Sequence, residues 1–112
     1  MTKIRGCDSY YSGKKQYLVV EITEKCVVLT YKDYTRICVT FSQARKLGQA
    51  IYDVVHQYSD HRTIRAKFGD SIRVYAHKNV TLKMCGPFIA SDFVMTRAAA
   101  RKLQILLGVN DA

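Results

Sequence analysis

Between residues 63 and 85, cations and an aromatic ring alternate with apolar side chains. Arg65 and Lys67, then Arg73, Tyr75 and His77, then Lys83 are interleaved with Ile64, Ala66, Phe68, Ile72, Val74, Ala76, Val80, Leu82 and Met84. Successive side chains of an extended chain point to opposite faces, so an inward apolar set turns the cations outward. Of the eight outer positions (Arg65, Lys67, Arg73, Tyr75, His77, Thr81, Lys83, Cys85), five are Arg, Lys or His and none is acidic. Cations in such a row neutralise phosphates and release their counterions. A phenol ring among them offers a π-face to any base, worth about 1–3 kcal/mol per stacked base. A sheet face that is merely hydrated normally mixes both signs.

Pairing Phe68 with Ile72 would set Arg65 opposite Tyr75 and Lys67 opposite Arg73. Pairing His77 with Thr81 would set Tyr75 opposite Lys83. Like charges facing each other cost a few tenths of a kcal/mol or more, and an anion lying on the face would offset that cost. Near the N-terminus, Tyr10, Tyr11, Lys14 and Lys15 repeat the mixture of aromatics and bases, and they could lengthen a binding track. Arg45, Lys46, Arg97, Arg101 and Lys102 are expected on solvated helix faces.

Other chemistries find few carriers. No phosphate-binding glycine loop, nucleophile elbow or zinc-protease pair occurs. His56 and His61 lack the four-residue spacing that one helix face uses for a metal, and residues 61–112 hold only Asp70, Asp92 and Asp111 as acids. A nuclease gathers several acids around its ion. Cys7, Cys26, Cys38 and Cys85 form no close pair, which predicts free thiols and argues against zinc. The expectation is a non-enzyme without cofactor or metal.

These faces need elements to hold them. The chain has 112 residues, 48% of them hydrophobic, with a net charge of +9. Residues 1–60 hold nine bases and six acids (+3), and residues 61–112 nine bases and three acids (+6). Such a balance favours polyanionic partners. The N-terminal Met-Thr-Lys-Ile-Arg-Gly has no apolar run of signal or membrane-span length, which predicts a cytoplasmic protein without a membrane partner. Residues 1–16 read as a basic Tyr/Lys arm. Residues 17–112 read as one α+β domain of two consecutive units, 17–58 and 63–108, each an antiparallel β-meander followed by a helix. In the first unit, alternating runs at 17–23, 25–31 and 35–41 lead to an N-cap at Ser42 and an apolar stripe of Leu47, Ile51, Val54, Val55 and Tyr58. In the second, strands near 63–68, 71–77, 80–84 and 88–95 lead to Thr96 and a helix through Leu107, stopped at Gly108.

The stretches "VTFSQARKL" and "VMTRAAARKL" therefore look like one junction written twice. The expected caps, Ser42 and Thr96, are 54 residues apart, while the shared Ala-Arg-Lys-Leu segments are 56 apart. The first unit's outer face (Tyr17, Val19, Glu21, Cys26, Val28, Thr30, Arg36, Cys38, Thr40) is largely neutral and β-branched. Left bare it would invite aggregation, so a cover is expected: the arm, the other unit, or a second copy docked on Val19, Val28 and Cys38.

The order sheet, cap, helix over residues 17–107, with its Phe41-Ser42 and Met95-Thr96 junctions, resembles the Whirly, Pur-alpha and transcriptional-coactivator group of single-strand-binding folds. That resemblance implies sheet faces that bind single strands and helices packed between paired sheets. The neutral first face departs from the pattern. The reading is then a protein that binds single-stranded DNA or RNA with low sequence specificity. The alternative is a small interaction module or inhibitor, of the kind phages and plasmids encode, that docks on an acidic face of a partner protein.

Overall fold

The computed structural model describes residues 1–7, 16–32, 35–57, 60–87 and 89–108. The expected arm residues Tyr10, Tyr11, Lys14 and Lys15, and Tyr58 of the first helix stripe, lie outside the described residues. Strands β1 (Thr2–Arg5), β2 (Tyr17–Ile22), β3 (Val27–Tyr31) and β4 (Thr35–Val39) form an antiparallel sheet in that order, followed by α1 (Phe41–Val55). Strands β5 (His61–Arg65), β6 (Ser71–Ala76), β7 (Val80–Gly86) and β8 (Ile89–Met95) form a second such sheet, followed by α2 (Arg97–Leu106). The expected α+β pair of meander-plus-helix units is the observed architecture.

One strand was not foreseen. Residues 2–5, assigned to the arm, form β1 and pair with β2, Ile4 opposite Leu18. Ile4 is the sole apolar residue of this short segment, too little to set an alternating pattern, yet it is buried in the common core.

The first helix also begins earlier than expected. Its cap is Thr40, not Ser42: the Thr40 hydroxyl accepts the Gln43 N–H at 3.0 Å, and Gln43 Oε1 accepts the Thr40 N–H at 2.9 Å. This reciprocal box satisfies two otherwise unpaired donors, and it draws Phe41, expected as the last residue of the run 35–41, into the first helical turn, 46% exposed. At the second helix the Thr96 hydroxyl accepts the Ala99 N–H at 3.2 Å, as anticipated. With the cap corrected, Thr40 and Thr96 are 56 residues apart, the same offset as Ala44–Leu47 to Ala100–Leu103. The two units are thus in register through strand, cap and helix. Thr35 and Ser91 share that offset, and their buried hydroxyls hydrogen-bond to each other at 2.9 Å, joining β4 to β8 at matching positions.

The helices are exchanged between units. Helix α1 packs on β5 and β6 of the second sheet, α2 lies against β1 of the first, and the helices touch each other. The outcome is one core, holding Leu18, Leu29 and Ile37 with Leu47 and Ile51, and Ile72, Leu82 and Phe93 with Leu103, all fully buried. Tyr31 meets Phe93 edge-on across the sheets, ring centroids 5.2 Å apart. Arg97, expected on a solvated helix face, is instead half-buried and bound. Its guanidinium donates to the Val55 carbonyl at 3.0 Å and the His77 carbonyl at 2.6 Å, which ties the start of α2 to the end of α1 and to the β6–β7 turn.

Candidate nucleic-acid interface

The inner positions of the second sheet are apolar: Ile72 and Val74, Val80, Leu82 and Met84, Phe93 and Met95 are all fully buried. Their alternation sends the intervening residues outward, as expected. The register, however, differs from the expected pairings. Ile64, not Phe68, faces Ile72, so Thr63 faces Arg73, His61 faces Tyr75 and Arg65 faces Ser71. Tyr75, not His77, faces Thr81, which sets Arg73 directly opposite Lys83.

Both corrections have the same cause: turns take up residues that alternation alone assigns to strands. Lys67–Gly69 is a 3-10 turn, closed by the Ala66 N–H donating to the Asp70 carbonyl at 2.9 Å and the Asp70 N–H to the Lys67 carbonyl at 3.3 Å. The His77 N–H likewise donates to the Asn79 carbonyl at 3.0 Å and ends β6 at Ala76. The strands slip by even numbers of residues, so the side chains that remain in the strands keep their faces.

Across the sheet the outer residues form three rows. One holds His61, Tyr75, Thr81 and Val94. The next holds Thr63, Arg73, Lys83 and Asp92, and the last Arg65, Ser71, Cys85 and Ala90. A depression of about 350 Å³ is lined by Asp60, His61, Arg73, Tyr75, His77 and Lys83. It brings together four of the residues singled out from sequence: Arg73, Tyr75, His77 and Lys83. Tyr75 is half-buried and meets His77 at 6.5 Å between ring centroids, 70° between planes. Arg65 is exposed in the neighbouring row. Lys67 sits in the turn, half-buried, and does not face Arg73.

Sequence reasoning missed His61 on this face, because it began the strand two residues late, and it left Thr63, the first residue of that expected strand, out of the outer positions. It also missed the face's carboxylate. Asp92 is the register partner of Lys83, and Asp60 stands at the depression's rim. Among the described residues, no ion pair within 4.0 Å joins either acid to Arg65, Arg73 or Lys83, whereas Arg62, from the opposite side of β5, pairs with Asp53 of α1 at 3.7 Å. Three exposed guanidinium and ammonium groups therefore remain available. Replacing Asp92→Asn should tighten binding of an oligonucleotide by roughly 1.4- to 5-fold, the worth of one exposed charge pair, as read by fluorescence anisotropy.

The first sheet's outer face is less neutral than its sequence suggested, because β1 adds Lys3 and Arg5. Lys3, Val19, Thr30 and Arg36 form one row, and Lys3 Nζ lies 5.9 Å from the Tyr17 ring centroid. Val28 is only 4% exposed, and Val19 and Cys38 are half-buried.

Among the described residues, no three His, Cys, Asp or Glu side chains gather in a metal-binding arrangement, and all four cysteines are free and half-buried. His56 stacks on Tyr52, ring centroids 4.1 Å apart. No helix among the described residues is long and apolar enough to cross a membrane. Comparison with known protein families, with curated proteins and with solved structures gave no match, so a functional reading rests on the residues of these faces.

Proposed function

We propose that this protein binds single-stranded nucleic acid, DNA or RNA, with little sequence preference, on the outer face of its second sheet, and that it performs no catalysis. One observation carries the reading: the depression seats Tyr75 in the row beside exposed Arg73 and Lys83, which face each other without an ion-pair partner among the described residues. A base laid on Tyr75 exchanges hydration for stacking, which every base can do equally well. The flanking phosphates are then in reach of Arg73, Lys83 and Arg65, and the like-charge repulsion between strands is relieved.

The test is a titration of wild type and Tyr75→Ala against labelled single-stranded and duplex oligonucleotides. The expected result is binding that favours the single strand and weakens roughly 5- to 150-fold in the variant, the equivalent of one stacked base. Equal affinity of the two proteins would remove stacking from the reading.

The competing reading, docking on an acidic partner protein, draws on a second basic surface. A groove of about 480 Å³ runs between β1 and α2, with Lys3, Arg5 and Lys102 on its walls and no acid among the described residues that line it. Stoichiometric capture of one acidic protein, without an oligonucleotide shift at low salt, would favour that reading. Pairing of two copies through Val19, Val28 and Cys38 has less support, since Val28 is buried within a single chain.

A further inference from the structure

The β5–β6 hairpin ends in an aromatic ring that the fold does not use. Phe68 was expected to point into the core, yet it is 81% exposed. Its backbone is left-handed, at φ 63° and ψ 27°, a region that a bulky side chain enters only at a cost and that glycine occupies freely. Gly69 follows at φ 79°. Neither the exposure of the ring nor the strain of its backbone is offset by packing of the side chain. Such strain persists only where the surroundings dictate it, and here they do. The two hydrogen bonds of the turn clamp residues 66–70, and Asp70, 8% exposed, lies so close to Gly86 that a Cβ there would have no room. The turn is a rigid mount that holds a phenyl ring in water.

The turn closes β5 and β6 at one end of the second sheet, and Tyr75 lies near the other end of β6. Ser71 to Tyr75 spans about 13 Å along β6 at the usual rise per residue. Arg73, between them, and exposed Arg65, just before the turn, supply cations along that path. We propose that Phe68 is a second stacking platform, which takes an unpaired base of the same strand a few nucleotides away from the base that lies on Tyr75. The inference rests on the nucleic-acid reading and adds to it the residue and the path.

The test uses two variants and a series of oligonucleotide lengths. Phe68→Gly suits the left-handed backbone, so its melting temperature should equal or exceed that of wild type, while its affinity for long single strands falls roughly 5- to 150-fold. Its affinity for oligonucleotides too short to reach from Tyr75 to the turn should stay unchanged, as should the salt dependence. The chain contains no tryptophan, so Phe68→Trp creates a single reporter, whose emission should be quenched by long oligonucleotides and not by short ones. A wild type that binds oligonucleotides, together with Phe68 variants that bind them equally well, overturns this inference and leaves the reading of the sheet face standing. A wild type that binds none overturns both. Loss of a self-associated form in Phe68→Gly, with oligonucleotide affinity intact, would assign the ring to a contact between copies instead.

Discussion

Replacing Arg73→Glu and Lys83→Glu together should abolish oligonucleotide binding under conditions where wild type binds, and should leave the melting temperature within a few degrees. The two residues face each other on β6 and β7 and supply two of the three cations on the face. Each phosphate contact with a single strand contributes about 0.7 to the slope of log affinity against log salt. Losing two contacts therefore costs roughly sixtyfold at about 50 mM salt, before repulsion from the new carboxylates is added. The fold should tolerate the change, since one exposed like-charge pair replaces another. The single variant Arg73→Glu makes the comparison sharper. It creates an opposite-charge pair with Lys83, which should add a few tenths of a kcal/mol of stability while still weakening binding. A gain in stability joined to a loss of binding is the result expected of a face kept for a ligand.

The second large effect concerns the exchange of helices. Leu103 of α2 is fully buried in the core that both sheets share. Leu103→Ala should destabilise by about 2–5 kcal/mol through lost burial and the cavity left behind, a large part of the roughly 5–15 kcal/mol that holds a domain folded. At about 4 °C per kcal/mol for a chain of this size, the melting temperature should fall by roughly 8–20 °C. Because α1 lies on the second sheet and α2 against the first, neither unit closes its core alone. The loss should appear as one cooperative transition that far-UV and near-UV circular dichroism report together. Two transitions, only one of them shifted, would mean that the units fold independently.

The faces were legible in the sequence because alternation survives an even slip of register. Arg65, Arg73, Tyr75 and Lys83 lie on the expected side even though every cross-strand partner differs from the expected one. The partners were illegible because register is decided by turns, and the Lys67–Gly69 turn puts a phenylalanine where glycine or asparagine is the usual signal. The pattern of Ile64, Ala66 and Phe68 reads as a strand's inner face, and only the backbone shows that it stops at Arg65. The Thr40 cap could have been found. Thr40-Phe41-Ser42-Gln43 has the spacing of a capping box, and choosing it would have aligned the two units at a single offset of 56. Strand β1 offered one apolar residue, and Arg97's carbonyl partners are distant in sequence, so neither carried a local signal.

The most direct test of the central claim is the affinity of wild type for a short single-stranded oligonucleotide as salt is raised from about 50 to 200 mM. With Arg65, Arg73 and Lys83 as the three phosphate contacts, the slope of log affinity against log salt should be near −2, and binding should weaken roughly twentyfold over that range. Absence of binding at the lowest salt, or an affinity indifferent to salt, would contradict the assignment of this sheet face to nucleic acid.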